Sequence, residues 1–412
     1  MTSQAILTLL ITISVIIFLF STVLEIINLK SLRTDIPEEV VSFYDVEKYQ
    51  KSIRYQQEKT RFGLLSESFS FLMSITLLAT GGFGWLDSLL RTWFVGEIPL
   101  ALVFFGLVVL ISDLLSLPFQ WYDTFRIEEK YGFNKTTITT FMTDKIKGYA
   151  IGAVVGGALL SCLIYLTQVL GPDFWIWFAL IAASFLLFMN VFYTSIFLPW
   201  FNKLTPLEEG ELKTAIRKFA DGVHFPLEQV FVMDGSKRSA KANAFFSGIG
   251  RKKKIVLYDT LMANHSTEEL VAVLAHEVGH YKKKHIIWSY LISVLQVFLV
   301  LFVLSLMIFE ENLSIALGGT QPAIHLNLLA FGILYSPLSG ITGLLMSMLS
   351  RKNEFEADAY ARETANGPAL ALALKRLSVD SLSNLYPHPI YVFFHYSHPP
   401  LLSRLARIQS SG

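Results

Sequence analysis

The stretch TEELVAVLAHEVGHYKKKHIIWSYLISVLQVFLVLFVLSLMIF, Thr267–Phe309, decides how the chain is read. Its first half is a polar helix signal over Thr267–Lys284. Ser266 or Thr267 stands at the cap, and Glu268 and Glu269 lie in the first turn. Its second half, Ile286–Phe309, is apolar throughout. A helix needs roughly 20 apolar residues to cross a hydrocarbon core about 30 Å thick. The second half is therefore long enough to span a membrane, and the first half is held against its face.

Six further runs of this kind follow outward from it: Gln4–Ile27, Leu64–Leu86, Ile98–Phe119, Tyr149–Leu170, Phe174–Trp200 and Leu326–Leu349. The first lacks a basic start and a small-residue cleavage site, so it reads as a retained anchor. Composition agrees with seven spans. Of 412 residues, 53% are hydrophobic and only 16% charged, with mean hydropathy +0.49. These values exclude a disordered chain and an ordinary soluble enzyme. A net charge of +1 creates no field for nucleic acid. The single cysteine, Cys162, forbids an internal disulfide and a thiolate metal cluster.

Lys and Arg set the orientation. Segment 28–62 holds seven of them, 121–148 five and 201–285 fourteen, and Arg351 and Lys352 follow the last span. The intervening loops hold Arg91 alone. This alternation predicts an N-terminus outside and all large polar segments in the cytoplasm. The organisation becomes a five-span region (1–200), a polar segment (201–285), a two-span hairpin (286–350) and a C-terminal segment (351–412). Few polar residues interrupt the spans; Asp113 is the clearest, with Asn190 and Gln296 milder. A helix–helix contact and a wet cavity are equally good readings of Asp113.

Within the polar segment, Leu207–Gly222 reads as a helix, and Gln229–Asp234 and Lys254–Asp259 read as strands. Gly235–Gly250 between the strands reads as a loop. Beyond the last span, Asn353–Thr364 and Pro368–Ser383 read as two helices. The basic runs Arg251–Lys254 and Lys282–Lys284 suit anionic lipid.

The chemistry lies in His276-Glu277-Val278-Gly279-His280. Two histidines four apart fall on one helical face, about 40° out of line. They can share one Zn²⁺ at about 2.0–2.1 Å. Glu277 then stands beside the metal as base for a zinc-activated water. Gly279 inside a helix costs about 1 kcal/mol relative to Ala, which suggests a close approach by another backbone.

A catalytic zinc needs a third protein ligand. His285 lies five residues past His280 and swings about 140° off that face, so the third ligand comes from elsewhere on the same side of the membrane. The hairpin of the last two spans returns the chain to the same side and delivers Glu354-Phe355-Glu356-Ala357-Asp358. Glu354 and Asp358 share a face with Ala357 and Ala361, so Glu354 is assigned as third ligand. Asp358 is assigned as the acceptor for a ligand imidazole N–H. Glu356 points elsewhere, toward solvent. His388, His395 and His398 are rivals for the ligand role, His398 the best placed. An exposed edge of the strand Lys254–Asp259 could pair an extended peptide.

With these residues in hand, the chain resembles the type I CAAX prenyl proteases over nearly its whole length. The resemblance rests on five spans, a loop, HEVGH, a two-span hairpin and EFEAD, in that order. Leu117–Thr124, Glu128-Glu129-Lys130-Tyr131-Gly132-Phe133, Asn243-Ala244-Phe245 and Ser397-His398-Pro399-Pro400-Leu401 ahead of Arg404 add to it. It implies an all-α polytopic membrane protein whose seven transmembrane helices form a barrel around a water-filled chamber. A small α+β gluzincin-type zinc protease segment would lie at the cytoplasmic end.

The resemblance implies one Zn²⁺ on His276, His280 and Glu354, with Glu277 catalytic and Asp358 behind the ligands. It nominates Asn243 beside the substrate backbone, and His398 and Arg404 near the reacting bond. The implied substrate is a peptide or protein with a prenylated CaaX terminus, met at a lipid surface. Short loops and an end at Ser410-Ser411-Gly412 without a retrieval signal suggest a bacterial inner membrane, or the endoplasmic reticulum in a eukaryote. In a bacterium, quality control of membrane proteins becomes the alternative task. Two rival readings are a heat-shock-type membrane metalloprotease and a non-catalytic seven-span transporter or scaffold.

Overall fold

The computed structural model describes residues 1–247 and 253–409. The start of the basic run Arg251–Lys254 and the terminal Ser410-Ser411-Gly412 lie outside the described residues. Six helical runs are long and apolar enough to cross a membrane. One of them, 138–201, is too long for a single crossing. It breaks at Gly171, whose φ of +55° suits glycine, into helices 138–170 and Phe174–Ile196 that pack on each other through Leu163, Leu166 and Phe174. The described residues thus hold seven helices long and apolar enough to span.

Only 6–17% of each apolar window is buried. The spans therefore keep broad apolar faces free for lipid or for an interior space. They are gathered at the end far from the polar segment by a core that includes Leu10, Leu78, Phe83, Leu100, Phe104, Leu317 and Leu326. Asp113 is explained by a partner on the next span. Its carboxylate accepts from Lys145 at 2.7 Å and from the Tyr149 hydroxyl. Gln296 donates to Thr342 Oγ1 at 2.9 Å, joining the last two spans.

Three expectations change. The last span does not stop before Asn353. Helix Ile324–Thr364 runs unbroken for 41 residues, because Arg351 and Lys352 mark an interface while no Gly or Pro interrupts the chain after Gly343. The run beginning at Leu64 ends as helix Val46–Ala79, and a separate short helix, Gly82–Leu90, follows the left-handed turn at Gly81.

The third change concerns the sheet. Its four strands are β1 (Leu204–Pro206), β2 (Leu227–Met233), β3 (Ala244–Ser247) and β4 (Lys253–Tyr258), in spatial order β1-β2-β4-β3. β4 is thus central, parallel to β2 and antiparallel to β3, and cannot be the edge that receives a peptide. The edges are β1 and β3; β3, the one in contact with helix Thr267–Lys282, lies in the segment read as a loop. The helix read from Leu207 begins at Glu211, after Gly210, and runs to Gly222. Helices Glu211–Gly222 and Thr267–Lys282 cover the sheet around Ile216, Val230, Ile255, Leu257, Leu270, Leu274 and Val278.

Candidate active site

Helix Thr267–Lys282 carries the HExxH residues. Its start is set by Ser266, whose hydroxyl accepts from Glu269 N at 3.3 Å. The helix crosses Ile324–Thr364 where both are thin. A Cβ on Gly279 would lie 3.0 Å from Ala357 Cα and 3.2 Å from the Ala357 carbonyl oxygen. This is the close approach implied by Gly279, and it brings two helices remote in sequence to within reach of one ion.

At the crossing, His276 Nε2 lies 3.2 Å from His280 Nε2. Glu354 faces both, at 3.5 Å from His276 Nε2 and 3.4 Å from His280 Nε2. One ligand atom from each residue falls within a 4.8 Å group. The outer nitrogen of each ring is already engaged. His276 Nδ1 is 2.9 Å from Asp358 Oδ1, and His280 Nδ1 is 3.0 Å from His285 Nδ1. Rings that donate outward turn lone pairs inward, so two lone pairs and a carboxylate converge on one point. That donor set fits a divalent cation.

Arg404 grips Asp358 with Nε at 2.8 Å and Nη2 at 2.6 Å, a two-pronged contact of the strong kind. The same guanidinium reaches Glu354 at 3.5 Å. Burial opposes a charge on His276, yet Asp358 and Glu354 hold that imidazole up at about 9, so a bound cation would take the place of the Nε2 proton. Burial pushes the Glu277 carboxyl above its ordinary range, against the opposing pull of the two imidazoles.

Of the three rival histidines, only His398 reaches the group, with Nδ1 3.0 Å from Glu354 Oε2. His388 caps helix Pro389–His395, and His395 stacks on Tyr391 with ring centroids 4.5 Å apart. Asn243 stands at the head of the edge strand β3, its carbonyl accepting from Tyr258 N at 3.1 Å. Nearby, Lys241 is tied to Glu128 at 3.1 Å, which fastens this edge to the membrane helices.

Two cavities meet at Glu277. One, of about 550 Å³, runs toward the spans between Leu186, Asn190, Ile286, Tyr290 and Met346. The other, of about 160 Å³, lies between Asn243, His276, Leu370, Leu374, His398 and Arg404.

Three features escaped the sequence reading. Glu356 is not left to solvent; its Oε2 lies 3.0 Å from His285 Nε2. His285 is not turned away, because Lys284 adopts φ +61° and ends the helix. A positive φ at a lysine carries no sequence signal. The β3 edge was hidden by its length of four residues.

Comparisons with known proteins identify the family. Residues 25–203 match a model described as CAAX prenyl protease N-terminal, five membrane helices. Residues 206–411 match peptidase family M48. The chain is 34% identical to CAAX prenyl protease 1 homolog of Oryza sativa subsp. japonica, covering 96% of each sequence. It is 34% identical to CAAX prenyl protease 1 of Saccharomyces cerevisiae over 92% of this chain and 89% of that one. It is 33% identical to the Homo sapiens homolog over the same shares. The crystal structure of S. mikatae Ste24p superposes with a TM-score of 0.93 at 31% identity, covering 98% of this chain and 99% of that one. These matches set aside the heat-shock-type and transporter readings. The chain belongs to the CAAX prenyl protease 1 family, multi-pass membrane metallopeptidases of family M48 that act on peptide or protein substrates.

Proposed function

We infer that the protein binds one Zn²⁺ through His276, His280 and Glu354 and cleaves prenylated CaaX-type peptides near their C-terminus. The observation that carries this reading is the convergence of two inward-facing Nε2 atoms and one carboxylate, with ligand atoms within 4.8 Å of one another. Zinc in such a site supplies a Lewis acid that acidifies water and polarises the scissile carbonyl.

The rest falls to the chain's own residues. Glu277, deprotonated, takes a proton from the attacking water and hands it to the leaving amine. His398, beside Glu354, donates to the oxygen that becomes negative in the transition state. Asp358, held by Arg404, fixes the His276 ring by accepting from Nδ1. Asn243 and the β3 edge receive the peptide backbone as an added strand. The larger cavity, with Leu186, Ile286 and Met346 in its wall, suits an isoprenyl chain entering from the lipid. The arginine and lysine bias puts this face on the cytoplasmic side.

The test is to incubate purified protein with farnesylated and unmodified CaaX peptides, with and without chelator, and weigh the products. Chelator-sensitive loss of C-terminal residues from the farnesylated peptide is expected. Equal cleavage of the unmodified peptide would replace prenyl selectivity with a general membrane-protein substrate. Equal cleavage by Glu277→Gln would overturn the mechanism.

A further inference from the structure

The two histidines of the metal group are supported in different ways. His276 leans directly on a carboxylate, Asp358, at 2.9 Å. His280 has no carboxylate on its outer nitrogen; it meets another imidazole, His285 Nδ1, at 3.0 Å. The chain makes this contact possible at Lys284. A left-handed residue ends one helix and starts the next at His285, and His285 folds back against the ring five positions before it. His285 is buried, and its remaining nitrogen, Nε2, lies 3.0 Å from Glu356 Oε2.

With His280 Nε2 free for a metal and His285 neutral, the proton inventory of this row has one solution. Two ring nitrogens 3.0 Å apart attract only when one bears hydrogen and the other a lone pair. His280 Nε2 faces His276 and Glu354, so a metal-ready His280 keeps its hydrogen on Nδ1 and donates to His285. His285 must then accept on Nδ1, carry its own hydrogen on Nε2 and donate to Glu356. Every donor and acceptor is used, and His285 stays neutral. The row also crosses the hairpin, because His285 opens the sixth span and Glu356 extends the seventh.

We propose that His285 and Glu356 form a positioning pair that orients the His280 ring and keeps its Nε2 free for the metal, as Asp358 and Arg404 do for His276. The proposal rests on the reading of His276, His280 and Glu354 as the metal group. Neither residue touches the reacting bond. The effect belongs in metal affinity and coordination geometry before it belongs in catalysis, since partners of this kind are worth about 10–100-fold in affinity.

The experiment uses the full-length protein in detergent. Zinc affinity is measured by competition with a chromogenic chelator, and the absorption spectrum of the cobalt-substituted protein reports the coordination geometry. His285→Phe should weaken zinc about 10–100-fold and shift the cobalt bands. His285→Gln should restore most of the affinity, because one amide can accept from His280 and donate to Glu356. Glu356→Ala, at a partly exposed position, should weaken zinc less than His285→Phe, and it decides the matter should the phenylalanine variant not fold. The thermal midpoint of chelator-treated Glu356→Ala should match that of wild type. Wild-type affinity and an unchanged cobalt spectrum in both His285→Phe and Glu356→Ala would overturn the positioning pair alone. A wild-type protein that binds no zinc, or an unaltered affinity in Glu354→Ala, would overturn the metal-site reading beneath it.

Discussion

Helix Ile324–Thr364 carries the same three-residue arrangement at both ends, and only one of them adjoins the His276–His280–Glu354 group. Near its start, His325 Nε2 lies 2.8 Å from Asp87 Oδ1, and Arg91 Nε donates to that carboxylate at 3.0 Å. Near its end, Asp358 joins His276 at 2.9 Å and Arg404 at 2.6 Å. In each case an imidazole, a buried aspartate and an arginine form one row. In each case small residues let backbones touch: Gly84 against Gly318 at the distal end, Gly279 against Ala357 at the other.

The difference lies in what the second ring nitrogen faces. His325 Nδ1 has no hydrogen-bond partner among the described residues, and the Phe104 ring lies against the imidazole, centroids 4.6 Å apart. His276 Nε2 faces His280 and Glu354. The distal row is a fastener that closes the membrane helices. The proximal row stands behind the His276–His280–Glu354 group. A buried His–Asp–Arg row is therefore a structural device that becomes chemical only when its free nitrogen meets other ligands.

Substitutions at the two ends should separate fastening from chemistry. The largest effect is expected from Glu277→Gln. Cleavage measured by mass should fall about 10²–10⁴-fold while zinc content per chain is retained, and no distal substitution should do this in folded protein. His398→Ala should follow, with a loss of about 10²–10³-fold in kcat and zinc affinity near that of wild type.

The two aspartates come next. Asp87→Asn should cost about 3–5 kcal/mol in thermal or denaturant unfolding, because Arg91 and His325 lose their charged partner in a buried place. Zinc bound per folded molecule should not change. Asp358→Asn should instead weaken zinc about 10–100-fold in chelator competition. A distal aspartate that altered zinc affinity would erase the contrast.

The glycines give the smallest difference at the active end. At Gly84 a Cβ would sit 1.9 Å from a backbone carbon of Gly318, so Gly84→Ala should lower the yield of folded protein sharply. At Gly279 the nearest atom is 3.0 Å away. Gly279→Ala should cost about 1–3 kcal/mol and should lower activity by spreading the two helices that hold the ligands.

The HExxH pair was legible because its spacing matches the helical turn. The approach of Glu354 to that pair was legible because a two-helix hairpin returns the chain to the side it left. Both arguments use only distances along regular helices. The contact of Glu356 with His285 was not legible, because it depends on Lys284 leaving helical geometry. The strand Ala244–Ser247 was not legible either, because its four residues pair with β4 through backbone groups that any side chain permits. The partner of Asp113 was hidden for a related reason: Lys145 is 32 residues away, across a turn that periodicity does not describe.

The sequence by itself determined seven helices long enough to span, a helix bearing HExxH beside them and a distant carboxylate delivered to it by a hairpin. Apolar run length and helical period are local quantities, so they survive without knowledge of the fold. Tertiary structure alone decided which strands are edges, which carboxylate stands behind which histidine, and which of two similar buried rows adjoins the His276–His280–Glu354 group. These choices depend on where side chains from separate helices meet, and a contact between remote segments leaves no periodic trace along either one.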